Sequence, residues 1–203
     1  ELLDGRELRQ VLREEGPLDV ARAAHIARQC CETLALAHDK GIVHRDIKPD
    51  NIFLISHDGQ VDFVKLLDFG VCKVRQSVAG VDAVASGLTA VGAQIGSPLY
   101  MSPEQLGEGE VDARTDVYAM GVVLFEMLTG RLPFQQEAWS KLMTRILSES
   151  PPQVSALRPT VPEELSAVVH KALAKNRRDR FPDMRAMAEA LRPLNLRLVL
   201  HNH

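Results

Sequence analysis

The sequence predicts a mainly helical α+β protein: amphipathic helices around one core, a small β-hairpin, and one long segment without periodicity. Three observations predict it. Apolar residues recur at helical spacing from Val20 to His38 and from Asp112 to Thr129. Two short strand-like runs, Ile52–Ile55 and Val61–Leu67, flank the turn residues His57-Asp58-Gly59. From Gly70 to Pro103 small residues, Gly and Ser dominate and no period survives, which marks a functional loop or a disordered one.

Each element has its local reason. Asp19 is placed to cap the first helix, Ile26, Cys30 and Leu34 form a stripe at four-residue spacing, and Gly41 lies just past the end. The hairpin follows. Asp112 is then placed to cap a second long helix, with Val117, Met120, Leu124 and Leu128 on one face and Gly130 as its stop. Weaker helices are predicted around Trp139–Leu147, Glu163–Lys175 and Met184–Leu194, separated by proline-bearing connectors. No repeat, low-complexity tract or linker divides the chain.

Composition excludes several classes. The 203 residues suit one domain or two small ones. With 45% hydrophobic and 25% charged residues the chain is not of the disordered type. A net charge of −3 supplies no basic field for nucleic acid. The longest apolar stretch stops at Asp116 and Glu126, too short to span a bilayer, and Glu1-Leu2-Leu3-Asp4-Gly5 is no signal peptide. Cys30, Cys31 and Cys72 make no CxxC pair, so a reducing, cytoplasmic location is expected.

Chemistry concentrates around the hairpin. His44-Arg45-Asp46-Ile47-Lys48-Pro49-Asp50-Asn51 precedes it, Asp68-Phe69-Gly70 follows it, and Gly96-Ser97-Pro98-Leu99-Tyr100-Met101-Ser102-Pro103-Glu104 closes the aperiodic segment. Together these resemble the protein kinase signature: the H-R-D-x-x-x-x-N catalytic loop, the D-F-G turn, and an A-P-E variant with Ser102 for Ala. Any one triplet is weak. The long string, in order with the other two, is specific.

The resemblance implies a division of labour. Phosphoryl transfer needs positioning and charge neutralisation above all. Asp46 would accept the hydrogen bond, and then the proton, of the substrate hydroxyl. Lys48 would offset charge on the phosphate, and its place two residues after Asp46 is the serine/threonine form. Asn51 and Asp68 would offer hard oxygens to Mg²⁺, or to Mn²⁺ in its place. Glu1-Leu2-Leu3 looks like the hinge between two lobes, so the backbones of Glu1 and Leu3 would meet the adenine edge of ATP, with Glu7 near the ribose and Phe53 under the base. Asp50 favours a basic residue near the acceptor.

Structural roles are implied as well. Glu104 and Arg180 match a buried ion pair, and Asp116 matches a helix carboxylate that accepts backbone N–H bonds from the catalytic loop. His44, Arg45, Phe69 and Gly70 would support the site. Ser97 matches a position whose hydroxyl contacts the catalytic Asp and Lys. Ser77, Ser86 and Thr89 are candidates for a phosphate read by Arg45, with Thr89 preferred for its spacing to Gly96.

Plainer readings stand beside these. In isolation Asp46 reads as a turn or capping residue. Cys30 and Cys31 read as helix packing, and Cys72 as a small buried hydrophobe before a reactive thiol. His25, His38, His170, His201 and His203 lack metal-ligand spacing. Arg177-Arg178 reads as a solvated helix end.

The sequence contains no Gly-x-Gly-x-x-Gly and no V-A-I-K-like strand. The resemblance therefore places residues 1–203 in the hinge and C-terminal lobe of a bacterial-type serine/threonine protein kinase, with an activation segment at 68–104. The whole protein would phosphorylate Ser or Thr on proteins, including other copies of itself in trans. This chain alone would be inactive. The rival reading is a pseudokinase or lone-lobe scaffold. A small-molecule phosphotransferase is disfavoured by Arg45, Lys48 and the S-P-E segment.

Overall fold

A computed structural model describes residues 5–57, 60–68, 97–107, 109–135 and 138–200, with the side chains at 57, 60, 97 and 193–200 left aside. The core is built on two helices. The first, α2 (Val20–His38), starts where the Asp19 carboxylate accepts from the N–H groups of Ala21 and Arg22, at 2.8 and 3.3 Å. Ile26, Cys30 and Leu34 are fully buried, so the four-residue stripe is the inward face. Burial pushes the Cys30 thiol up to about 12, which leaves it a packing residue. Cys72 lies outside the described residues.

The second core helix, α4 (Arg114–Thr129), is buried from Thr115 to Leu128 on every side. A helix apolar all round belongs in an interior. It ends at Gly130 in the left-handed conformation, φ 68°, as the sequence predicts. Its cap is Ala113 rather than Asp112. Asp112 still accepts from the Arg114 N–H at 2.8 Å, but Arg114 and Arg177 also claim its carboxylate, and the helix begins one residue later.

Around this pair lie α3 (Pro103–Leu106), α5 (Trp139–Ser148), α6 (Val154–Leu157), α7 (Glu163–Ala172) and α8 (Met184–Leu200). α8 packs chiefly on α2, and α7 on α4. Two ends differ from expectation. α7 stops at Ala172, before Lys175, whose ammonium instead donates to the Ile146 carbonyl at 2.7 Å. α8 continues past Leu194 to Leu200.

The hairpin is present as β2 (Ile52–His57) and β3 (Gln60–Leu66), but it is part of a three-stranded antiparallel sheet. The added strand, β1 (Gly5–Glu7), pairs with β2 and runs directly into α1 (Leu8–Glu15). β1 is three residues long and wholly exposed, so it shows no alternation for a sequence reading to detect. Leu8 and Val11 anchor α1 in the core.

Candidate active site

The segment between α2 and β2 has no regular structure until the 3-10 turn Pro49–Asn51, so side chains must fix its path. Asp116, in the first turn of α4 and fully buried, does most of this. Its Oδ2 accepts from the His44 N–H at 2.8 Å and its Oδ1 from the Arg45 N–H at 2.8 Å. His38, at the end of α2, donates from Nε2 to the same Oδ2 at 2.8 Å. Three donors satisfy a charge that would be costly to bury alone.

His44 ties the loop to the sheet. Its Nε2–H donates to the Leu67 carbonyl at 3.1 Å, and its Nδ1 accepts the Asp46 N–H at 3.3 Å, an arrangement that selects the Nε2-protonated tautomer. Arg45 stands between them at φ 64°, a left-handed conformation uncommon outside glycine.

Asp46 is the centre. Lys48 Nζ donates to its Oδ2 at 3.1 Å. The Asn51 amide nitrogen donates to the Asp46 carbonyl at 2.8 Å and lies 3.4 Å from Oδ2. The loop thus folds back on itself over five residues, with Pro49 starting the turn. The Leu67 N–H donates to the Asn51 carbonyl at 2.9 Å, so Asp68, exposed and at φ 52°, begins one residue beyond that bond.

Asn51 and Asp68 are one amide and one carboxylate, both hard-oxygen donors. With the Asn51 nitrogen committed to Asp46, its Oδ1 is the atom that would serve a cation. Such a sparse donor set suits Mg²⁺, which keeps waters and shares nucleotide phosphates rather than filling an all-protein cage. Among the described residues there is no group of three or more His, Cys, Asp or Glu that could hold a metal ion.

Farther out, Arg180 grips Glu104 in a bidentate pair at 2.7 and 2.8 Å, with both side chains buried. Its remaining donors go to the carbonyls of Ala174, Arg114 and Lys175, so all five guanidinium N–H groups are used. Thr115 also donates to Glu104, at 2.8 Å. Burial works against the Glu104 charge, but the bonds and charge of Arg180 outweigh it and hold the carboxyl below its ordinary range.

Of the nucleotide-binding candidates, the register sets Glu7 directly opposite Phe53. Glu1, Leu3, Phe69, Gly70, Cys72, Ser77, Ser86 and Thr89 lie outside the described residues. Ser97 opens the 3-10 turn Ser97–Tyr100, and its side chain lies outside them too.

Two contributors were not visible from motifs. His38 has no metal spacing, yet it shares Asp116 with the loop. Gln105 donates to the Arg45 carbonyl at 3.0 Å while its Oε1 accepts from the Ser102 N–H at 3.0 Å, linking α3 to the catalytic loop. The S-x-x-Q spacing signals the local half of this link. Nothing local signals the other half.

A buried helix carboxylate thus organises an Asp-Lys-Asn loop beside a sheet end. The chain belongs to the protein kinase domain family, which matches residues 1–191. It is 42% identical over 176 residues to the serine/threonine-protein kinase Pkn1 of Myxococcus xanthus, covering 86% of this chain and 24% of that protein. It is 38% identical over 200 residues to the serine/threonine-protein kinase PknL of Mycobacterium tuberculosis, covering 98% of this chain and 47% of PknL. Among solved structures it resembles the Mycobacterium tuberculosis PknI kinase domain, with a TM-score of 0.69 at 27% identity, over 95% of this chain and 64% of that one. The chain therefore spans from a quarter to under half of these curated relatives.

Proposed function

We propose that this chain is the catalytic lobe of a serine/threonine protein kinase, and that the whole protein transfers the γ-phosphoryl group of ATP to a Ser or Thr hydroxyl of a protein. The observation that carries this reading is the Asp46 carboxylate, held by Lys48 at 3.1 Å on a loop anchored to Asp116. Membership of the family and two serine/threonine-kinase relatives support it.

Asp46 accepts the hydrogen bond of the acceptor hydroxyl and takes its proton as that oxygen bonds to the γ-phosphorus and the bond to the ADP oxygen breaks. Lys48 keeps the Asp46 carboxylate oriented and offsets negative charge on the transferring group. Asn51 Oδ1 and the Asp68 carboxylate would hold Mg²⁺, which would supply neutralisation of phosphate charge. Glu7 and Phe53, opposite one another on β1 and β2, lie against the nucleoside.

His44, Arg45, Phe69, Gly70, Glu104, Asp116 and Arg180 support this geometry. The protein also phosphorylates its own copies in trans, with Thr89 the acceptor and Arg45 the reader, and Ser97 positions the loop. It acts in the cytoplasm, where ATP is available. Among the described residues no helix is long and apolar enough to cross a membrane.

The test is Asp68→Ala in the full-length protein, with Mg²⁺-dependent ATP binding followed by calorimetry and phosphate transfer to a Ser/Thr peptide followed in parallel. The expected result is loss of the Mg²⁺ dependence and at least about a 100-fold fall in transfer. Unchanged Mg²⁺ dependence and transfer would remove Asp68 from the site.

A further inference from the structure

Arg9, in the first turn of α1, reaches across to three partners at the edge of the catalytic loop. Its Nη1 donates to Glu126 at 2.8 Å, and its Nε and Nη2 to Asp50 Oδ2 at 3.3 and 3.2 Å. Nη2 also donates to the Tyr100 hydroxyl, and that hydroxyl donates to the second Glu126 oxygen. The guanidinium sits 5.7 Å from the Tyr100 ring centroid. Burial opposes its charge, but Tyr100, Glu126 and Asp50 outweigh burial and hold it firmly protonated.

Position gives this network its meaning. Asp50 lies between Lys48 and Asn51, both of which bond Asp46. Tyr100 ends the turn that begins at Ser97 and leads into α3, which Gln105 ties to the catalytic loop. The cluster therefore borders the space where an acceptor peptide must lie to present its hydroxyl to Asp46. The Asp50 side chain is 44% exposed, whereas that of Glu126 is only 11% exposed, bonded to Arg9 and Tyr100. Left alone, an exposed carboxylate four residues from Asp46 would attract a basic peptide residue. Here its charge is already met from within the fold.

We propose that Arg9 is a specificity-determining residue: by pairing with Asp50 and Glu126 it occupies both carboxylates and offsets one of their two negative charges, so acceptor peptides are taken without a flanking basic residue. This replaces the expectation that Asp50 favours such a residue, and it rests on the kinase reading above. Removing Arg9 frees Asp50 for the peptide and turns an indifferent site into one that prefers Arg or Lys.

The experiment uses full-length protein and a Ser/Thr peptide set in which each position flanking the acceptor is Arg, Ala or Glu. The wild type is expected to use Arg- and Ala-flanked peptides within about twofold of each other. Arg9→Ala should gain about three- to fivefold in kcat/KM for Arg-flanked peptides, mainly through KM, the range of a partly exposed ion pair. Adding Asp50→Asn should abolish that gain.

Asp50→Asn alone changes an exposed residue and stands in should Arg9→Ala fail to fold. It is expected to leave Arg-flanked peptides no worse than Ala-flanked ones and to favour Glu-flanked peptides by about twofold. A wild type that prefers Arg by more than about fivefold, or an Asp50→Asn variant that loses such a preference, overturns the inference and leaves the kinase reading standing. A folded Arg9→Ala variant with no gain also overturns it. No transfer by the wild type to any peptide overturns the kinase reading and this inference together.

Discussion

Asp116 holds Arg45 by its backbone: the Arg45 N–H meets Asp116 Oδ1 at 2.8 Å while Arg45 itself sits at φ 64°. A non-glycine residue in that region costs on the order of 1–3 kcal/mol and persists only where its surroundings over-determine it. The buried carboxylate, with the His44 N–H on its other oxygen, supplies that constraint. Asp116→Asn offers one acceptor where two are needed and turns an NH₂ group towards an N–H donor. The expected loss is about 3 kcal/mol in urea unfolding of the full-length protein, together with a fall in kcat. Wild-type stability in this variant would show that the loop is held by something else.

The Glu104–Arg180 pair makes a pH prediction. The folded pKa of Glu104 lies below its ordinary value near 4.5, so the group binds fewer protons folded than unfolded in that range. Its stabilisation is therefore present in full above about pH 5 and is lost as pH falls through the folded pKa. Glu104→Gln should lower stability at neutral pH and flatten the loss between about pH 5 and 3. Chemical denaturation across that range checks it, and parallel curves for the two proteins would refute it.

Gly121 lets α4 and α7 approach closely. A Cβ there would lie 2.8 Å from the Ala172 Cβ and 3.2 Å from Leu173 Cδ2, inside contact distance with both. Gly121→Ala should destabilise by about 1–3 kcal/mol despite its better helix propensity. Thermal unfolding measures this, and a raised midpoint would mean that the interface opens freely.

Gln105→Ala removes the hydrogen bond from α3 to the Arg45 carbonyl. The expected cost is about 1 kcal/mol of stability. Because Arg45 directly precedes Asp46, kcat should fall more than KM rises. Steady-state kinetics of the full-length variant separates the two, and a change in KM alone would place Gln105 in peptide binding instead.

The long helices were legible because burial and spacing agree: Ile26, Cys30 and Leu34, like Val117, Met120, Leu124 and Leu128, are inward-facing. Asp19 and Gly130 act where local chemistry places them. The catalytic loop was legible as a motif because its residues are close in sequence. β1 and α1 were not. Leu8 and Val11 carry the helical signal of α1, but an eight-residue element is too short to establish a period.

Partners distant in sequence were the least legible. His38 meets Asp116 and Arg9 meets Glu126 only because helices far apart in the chain cross near the loop. Local spacing holds no record of such crossings. The Asp50 side chain shows the consequence: from sequence it is an acidic feature, while in the fold it is half of an ion pair.

The most direct measurement is phosphate transfer from radiolabelled ATP to a Ser/Thr peptide by full-length protein carrying Asp46→Asn, with its unfolding midpoint measured alongside. If Asp46 receives the hydroxyl proton, transfer falls by about 10²- to 10⁴-fold while the midpoint stays near the wild-type value. Undiminished transfer by the folded variant would contradict the assignment of Asp46 as the catalytic base.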